Sequence, residues 1–263
     1  FEKLVKGIPG DGLIVINADD EGIARVLREA TKEKVLEPRL IRYGKNASAD
    51  YSYDNVRPSK SGLQFDVTHK GKKTCVISPM FGRFNAENIA AAFAMASEIG
   101  VPTEKIVAAI NDFKGIKRRF EKRLEGDVTV FDCHAPTPDK VASVLASLRE
   151  VYDKKIIAIF EPNIGGRERA SAAKYDGAFK DADTVIIPRL TKLKISDEKE
   201  APMEGAELAE TISKTHKNCA LIEDDEKIVQ TAVSQAKKDD IIVFLGSHGF
   251  RGMIEETVEK FLL

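Results

Sequence analysis

The second half of the chain alternates short apolar runs with segments of helical periodicity. The apolar runs are rich in valine and isoleucine, and they cover residues 128–132, 155–160, 183–188, 218–223 and 240–246. The helical segments begin near Thr137, Arg169, Gly205, Asp225 and Met253. Strands that are apolar through their centres and separated by helices are typical of a parallel sheet covered on both faces. The pattern therefore predicts a doubly wound, Rossmann-like α/β domain.

The first half is also mixed α/β, with a less regular rhythm. A buried strand within 12–20 runs into an amphipathic helix, whereas 39–56 indicates a strand followed by polar, irregular chain. Alternating positions on either side of Lys70-Gly71-Lys72 predict a β-hairpin over 63–79. Two helices complete this half: 84–100 and 102–113. A charged, glycine-containing stretch then separates the two patterns, and we expect two domains, 1–117 and 118–263.

Composition narrows the class of protein. The chain has 41 basic and 42 acidic residues, and a formal net charge of −1 argues against a nucleic-acid partner. Apolar runs such as 241–245 are too short to span a membrane, so we expect no membrane partner. Cys75, Cys133 and Cys219 have no paired spacing, which argues against a disulfide framework or a metal site of zinc type. A reducing cytoplasm is the simplest location.

A glycine-spaced turn follows the last strand. Gly246, Gly249 and Gly252 lie in "GSHGFRGM", which lacks the lysine and hydroxyl of a Walker A loop, G-x-x-x-x-G-K-[ST]. No Walker A loop occurs elsewhere in the 263 residues. The spacing also differs from the dinucleotide-binding G-x-G-x-x-G. We favour backbone conformation as the reason for these glycines; the alternative is that backbone amides or His248 contact a ligand.

Other candidate residues lie at strand ends and in the linker. Ligands of doubly wound sheets bind outside the carboxyl ends of the strands, which is where Asp132 and His134 are expected. The alternative is that Asp132 only caps a helix and His134 is an ordinary surface residue. Arg118 and Arg119 in the linker could clamp phosphates, since guanidinium groups bind them bidentately, or could simply be solvated.

Two further pairs of side chains suit ligand binding. Arg167 and Arg169, in the loop "FEPNIGGRERA", could hold a substrate carboxylate, and a solvated loop is the competing interpretation. Asn85 and Asn88 are one turn apart at a helix start, where amide groups could recognise an adenine edge. Helix capping is the ordinary explanation for one of these asparagines.

The order of these motifs resembles the Mur ligase family. "GRFNAENIAAAFAMASEIGVP" followed by "GIKRRFE" is similar to the end of the family's central ATPase domain, and "FDCHAPTPDKVASVL" to the segment that opens its C-terminal domain. "GLIVINADDEGIARVL" resembles an upstream strand of the family. "FEPNIGGRERASAAKYDGAFKDADTVII" and "GSHGFRGMIEE" resemble members that join L-alanine, or L-alanyl-γ-D-glutamyl-meso-diaminopimelate, to UDP-N-acetylmuramate. The Phe-Glu-Pro start is closer to the tripeptide-joining members.

The resemblance implies a partial central ATPase domain followed by a Rossmann-like C-terminal domain. The implied activity is ATP-dependent amide-bond formation through an acyl phosphate, in peptidoglycan precursor synthesis or recycling. ATP and Mg²⁺ are the implied cofactors, and UDP-N-acetylmuramate and an amino acid or peptide are the implied substrates. The alternatives are a non-catalytic nucleotide- or muropeptide-binding module and a folate- or cyanophycin-type ligase of the same superfamily. A nicotinamide-dependent oxidoreductase is disfavoured by the missing dinucleotide motif.

The resemblance also assigns residues. Nucleotide binding falls to Asn85, Asn88, Arg118, Arg119, Asp132 and His134. Binding of the second substrate falls to Asn163, Arg167, Arg169 and His248. No catalytic residue and no metal ligand is assigned within the chain.

Some features depart from the family pattern. Phe84 stands where the family usually has a histidine, and the order of residues in "DCHAPTPD" is disturbed. The phosphate loop, the magnesium-binding carboxylate, a carbamylated lysine and the UDP-binding domain would all precede Phe1. We therefore expect the rear half of a ligase, inactive by itself.

Overall fold

The computed structural model describes residues 1–32, 37–192 and 201–262. The chain divides into two compact units, Phe1–Lys114 and Gly115–Leu263. No helix among the described residues has the length and apolar character needed to cross a membrane.

The first unit is built on a five-stranded sheet. Its strands, in order across the sheet, are β1 (Leu13–Asn17), β2 (Arg39–Gly44), β3 (Tyr51–Ser59), β4 (Gly62–His69) and β5 (Lys72–Ser78). β1, β2 and β3 run parallel, whereas β4 is antiparallel to both β3 and β5. The helices are α1 (Glu2–Lys6), α2 (Glu21–Ala30), α3 (Phe84–Glu98) and α4 (Thr103–Asp112).

The predicted hairpin is confirmed, and the predicted irregular chain is partly wrong. Lys70 and Gly71 turn β4 into β5 with φ angles of +48° and +75°. The polar chain after β2 includes a nine-residue strand, β3. Tyr51 and Tyr53 alternate into the core with 1% and 3% of their surface exposed. The polar residues between and after these tyrosines hide that alternation in the sequence.

The second unit is a doubly wound sheet of six strands. The strands are β6 (Glu121–Glu125), β7 (Thr129–Cys133), β8 (Ile156–Glu161), β9 (Thr184–Ile187), β10 (Cys219–Leu221) and β11 (Ile241–Gly246). Their order is β10-β9-β8-β11-β7-β6. The helices are α5 (Pro138–Arg149), α6 (Ile164–Arg167), α7 (Gly205–Ser213), α8 (Asp225–Gln235) and α9 (Met253–Leu262), with 3₁₀ turns at Arg169–Tyr175 and Phe250–Gly252.

The predicted α/β class is confirmed, with one correction at the edge of this sheet. All five predicted strands are present and pair in parallel. β6 is an additional, antiparallel strand formed by charged residues within the predicted linker. It pairs with the edge of β7, and its own sequence has no apolar run that would have indicated a strand.

Candidate functional site

Arg118 connects the start of the second unit to the turn after β11. Its Nε lies 3.3 Å from Oδ2 of Asp132. Its terminal nitrogens donate to the carbonyl oxygens of Gly246, Ser247 and His248 at 3.1, 2.8 and 2.7 Å. These four contacts use four of the five guanidinium N–H groups. Arg118 therefore holds the carboxyl ends of β7 and β11 together and keeps one donor for any ligand.

Asp132, at the carboxyl end of β7, is the buried partner of Arg118. Its side chain is 4% exposed. Burial raises the pKa of Asp132, and the charge of Arg118 opposes that rise. The carboxylate thus faces a guanidinium inside the protein, and it does not cap α5, whose N-cap residue is Thr137. The expected nucleotide contact of Asp132 stays a prediction.

Arg119 and His134 lie on two backbone segments that a hydrogen bond joins. The His134 N–H donates to the carbonyl of Arg118 at 2.6 Å. Arg118 and Phe120 both have positive φ, +60° and +51°, and Phe120 is buried while Arg119 between them is exposed. Neither the Arg119 guanidinium nor the His134 imidazole has a polar partner within the described part of the chain. These two groups are available to a ligand.

The environment of His134 shifts its pKa in a direction that can be tested. Burial lowers the pKa of His134, and the nearby cations Arg118, Arg119 and Lys140 lower it further. We expect an NMR titration of the His134 ring to give a midpoint below the ordinary 6.5, and Arg119→Gln to raise that midpoint. Because the folded-state pKa is depressed, the contribution of His134 to stability is present above pH 6.5 and is lost as the pH falls through the folded-state pKa. A midpoint unmoved by Arg119→Gln would contradict the electrostatic cause.

The three glycines after β11 serve different purposes. A Cβ on Gly246 would lie 2.6 Å from the carbonyl oxygen of Glu161 and 2.9 Å from the Phe250 ring. Gly252 has a φ of +91°, which side chains rarely adopt. Gly249 has open space around it and an ordinary φ of −84°. Gly252 is therefore explained by backbone conformation, as predicted, whereas Gly246 is explained by close packing.

Next to this turn, His248 and Ser247 retain free polar atoms. Within the described residues the His248 ring has no polar partner, and the hydroxyl of Ser247 is buried without one. The backbone carbonyls of both residues are bound by Arg118. The contact of His248 with the second substrate stays a prediction.

A second charged cluster, which no motif in the sequence predicts, lies across neighbouring strand ends. Glu161, 1% exposed at the end of β8, accepts hydrogen bonds from the backbone and hydroxyl of Thr191 at 3.0 and 2.6 Å. Its other oxygen accepts from Arg251 at 3.1 Å. Arg251 also donates to both oxygens of Asp225, at 2.8 and 2.9 Å. The only signal in the sequence is that Glu161 directly ends an apolar run.

The predicted substrate residues after β8 are engaged within the protein. Arg167 is 2% exposed and donates to the carbonyls of Met203 and Thr191 at 3.0 and 2.9 Å and to Glu204 at 2.8 Å. The side chain of Asn163 accepts from the Gly166 N–H at 3.0 Å and caps α6. Arg169 pairs with Glu207. A direct substrate contact by Arg167 would require these buried hydrogen bonds to break.

Asn85 and Asn88 form a hydrogen-bonded pair at the start of α3 in the first unit. Asn85 is 5% exposed and donates to the carbonyl of Phe81 at 2.6 Å. Asn88 is exposed and donates to the side-chain oxygen of Asn85 at 3.1 Å. The carbonyl oxygen of the Asn88 amide has no partner among the described residues. Recognition of an adenine by this pair stays a prediction.

The described residues contain no group of three or more histidine, cysteine, aspartate or glutamate side chains placed to hold a metal ion. No chemical step is assigned to a metal here.

Comparison with known proteins gives two family matches in succession. The family described as Mur ligase middle domain matches residues 1–96, and the family described as Mur ligase, glutamate ligase domain, matches residues 118–248. A UDP-N-acetylmuramate--L-alanine ligase of Mesorhizobium japonicum is 31% identical over 94% of this chain and 53% of its own length. One from Caldanaerobacter subterraneus is 30% identical over 100% of this chain and 55% of its own length. The chain thus spans about half the length of the curated relatives it matches.

Solved structures share the fold. The UDP-N-acetylmuramate-alanine ligase of Thermotoga maritima has a TM-score of 0.72 at 20% identity, over 95% of this chain and 51% of that protein. A murein peptide ligase from Psychrobacter arcticus has a TM-score of 0.64 at 24% identity, over 98% and 53%. The MurF ligase of Thermotoga maritima, solved in complex with ADP, has a TM-score of 0.73 at 18% identity, over 99% and 56%.

Proposed function

The chain belongs to the Mur ligase family, and we propose that it is the middle and C-terminal part of an ATP-dependent ligase that joins an amino acid or peptide to UDP-N-acetylmuramate. The observation that carries this proposal is the succession of two family matches along one chain, 1–96 and then 118–248. The names of the curated relatives support the substrate UDP-N-acetylmuramate. The three free cysteines fit the expected cytoplasmic location.

The proposed chemistry makes an amide through an activated carboxylate. The γ-phosphoryl group of ATP passes to an oxygen of the substrate carboxylate and leaves ADP and an acyl phosphate. The amine of the second substrate attacks the carbonyl carbon, and the tetrahedral intermediate expels inorganic phosphate while the nitrogen loses a proton. Charge develops on oxygen in both steps, so cationic groups and N–H donors stabilise the transition states.

The neighbouring residues Arg118 and Arg119 differ in their contacts, and we therefore propose different roles for them. Arg119 is exposed and has no polar partner among the described residues, so we assign it to the ATP phosphates or ribose, with His134 beside it. A guanidinium with free donors binds phosphate oxygens bidentately. Four of the five N–H groups of Arg118 are engaged within the protein. We therefore assign Arg118, with Asp132, to positioning the strand ends that carry the site.

A direct test of the proposed function is ADP release by the natural polypeptide that contains these residues. We expect ADP to form only when UDP-N-acetylmuramate, Mg²⁺ and an amine substrate are all present, with L-alanine and L-alanyl-γ-D-glutamyl-meso-diaminopimelate as the two candidates. Mass spectrometry of the product should show the added amide. ADP and phosphate binding without turnover would instead favour the non-catalytic binding module, and turnover with folate or aspartate–arginine substrates would favour the other ligases of the superfamily.

The 263 residues alone give a second expected result. Because they contain no Walker A loop, we expect no ATP-dependent ligation by this chain in the same assay. Calorimetry with ADP, L-alanine and the tripeptide measures which binding sites the chain retains. Ligation by the chain itself would show that the phosphate-binding function lies in residues we have not recognised.

A further inference from the structure

Two guanidinium groups share one carboxylate outside the carboxyl ends of the second sheet. Arg189 follows β9, Arg251 follows β11, and Asp225 begins α8. Oδ2 of Asp225 lies 2.8 Å from Nε of Arg251 and 3.5 Å from a terminal nitrogen of Arg189. This side of a parallel sheet is where ligands of doubly wound folds bind. The cluster is separate from the contacts of Arg118, which connect β7 and β11.

Arg251 is held rigidly in this cluster. It has a φ of +51°, a conformation that costs a non-glycine residue free energy. The neighbouring Phe250 is fully buried, and Arg251 itself donates to Glu161 and to both oxygens of Asp225. The hydrogen bond from Arg251 lowers the pKa of Asp225, so this carboxylate stays ionised at neutral pH. Three of the five guanidinium N–H groups of Arg251 are used, and two remain.

Arg189 is not needed to satisfy Asp225. Both oxygens of that carboxylate already accept hydrogen bonds from Arg251, at 2.8 and 2.9 Å, whereas Arg189 approaches only to 3.5 Å. The side chain of Arg189 is 61% exposed, and Asp225 is its only ionic partner within the described ranges. Most of the donors of Arg189 therefore remain open, and Arg251, which shares Oδ2 of Asp225 with it, keeps two donors open.

We propose that Arg189, supported by Arg251, binds a carboxylate of the amine substrate. The inference rests on the proposed function, which requires an amino acid or peptide with a free carboxylate at the second unit. A planar guanidinium matches the two oxygens of a carboxylate, and the two unused N–H groups of Arg251 can add hydrogen bonds to the same ligand. Asp225 keeps the two cations together in the absence of substrate, because it offsets their mutual repulsion.

NMR of the arginine side chains tests this subsite on the 263-residue chain itself. The Nε–H signals of Arg189 and Arg251 can be assigned with the variants Arg189→Gln and Arg251→Gln. L-alanine or L-alanyl-γ-D-glutamyl-meso-diaminopimelate should shift the Arg189 signal, and the corresponding carboxamides should need about tenfold higher concentration or more for the same occupancy. In Arg189→Gln, the remaining signals should show no preference for carboxylate over carboxamide.

A matched control separates a specific contact from a general loss of positive charge. Lys238 is 76% exposed and precedes β11, at the amino end of that strand. Lys238→Gln removes one surface cation and should leave the carboxylate preference unchanged. The proposal is overturned if neither carboxylate ligand moves the Arg189 signal, or if Arg189→Gln retains the wild-type preference.

The two proposals fail in different ways. If the natural polypeptide releases no ADP with any amine, the proposed ligase function fails, whatever the NMR titration shows. If ADP release is normal but Arg189→Gln leaves the KM for the amine unchanged, only the carboxylate subsite fails. The expected result is a KM for the amine raised about tenfold or more, with the KM values for ATP and UDP-N-acetylmuramate unchanged.

Discussion

Replacing Arg118 with alanine should lower the free energy of unfolding of the second unit by about 2–4 kcal/mol. The substitution leaves Asp132, which is 3% exposed, without its counter-charge. It also removes the hydrogen bonds to three successive carbonyls that begin at the last residue of β11. Breaking a buried ion pair by removing one partner is costly because the remaining charge is still buried.

Urea unfolding followed by circular dichroism measures the loss caused by Arg118→Ala, and amide hydrogen exchange in β7 and β11 assigns it to the second unit. The adjacent Arg119→Ala is the matched control. Arg119 is exposed and has no polar partner within the described residues, so stability should change by no more than about 0.5 kcal/mol. Asp132→Asn combined with Arg118→Ala should restore part of the loss. Equal effects of the two single arginine substitutions would contradict the positioning role of Arg118.

The glycine turn should respond to alanine in a graded series. Gly246→Ala should cost about 2–3 kcal/mol, because its Cβ would lie 2.6 Å from a backbone oxygen that cannot easily move. Gly252→Ala should cost about 1–2 kcal/mol, because its φ of +91° strains any side chain. Gly249→Ala should stay within about 0.5 kcal/mol, since the site has open space and an ordinary φ.

The same urea transitions measure this series, and the order of the three variants is the decisive result. If Gly249→Ala were the most destabilising, the turn would be shaped by contacts that the structure does not show. If all three were neutral in stability but ADP release were lost, the glycines would serve a ligand. That outcome would favour the alternative in which the backbone amides of the turn contact substrate.

Much of the fold could be predicted because the parallel strands are buried on both faces. β8 and β11 are fully buried along almost their whole length, and their sequences are continuous apolar runs. β6 could not be predicted in this way, because it is charged and its pairing depends on the open edge of β7, which no local pattern contains. β3 escaped prediction for a related reason: its two buried tyrosines alternate with polar residues.

The candidate site was less accessible to sequence reasoning than the fold. Arg118 and Arg119 are neighbours of the same residue type, yet the guanidinium of Arg118 is hydrogen-bonded within the protein and Arg119 is exposed. Arg118 meets its carbonyl partners from 128 to 130 residues away, and Arg251 meets Glu161 across 90. Contacts of that separation have no periodicity to reveal them. Strand-end position did predict where Asp132 lies, because that location follows from the sheet alone, and its ligand contact stays a prediction.

The edge strand β6 has a consequence for how the molecule behaves in a crowded cell. The six-stranded sheet has two edge strands, and a strand edge that meets a strand of another molecule can pair with it and start an aggregate. One side ends in β10, which is only three residues long. The other ends in β6, where Glu121, Lys122, Arg123 and Glu125 present charges of both signs. A short edge strand and a charged edge strand both disfavour pairing between the sheets of two copies. β6, which opens the second unit, therefore also protects that unit against aggregation.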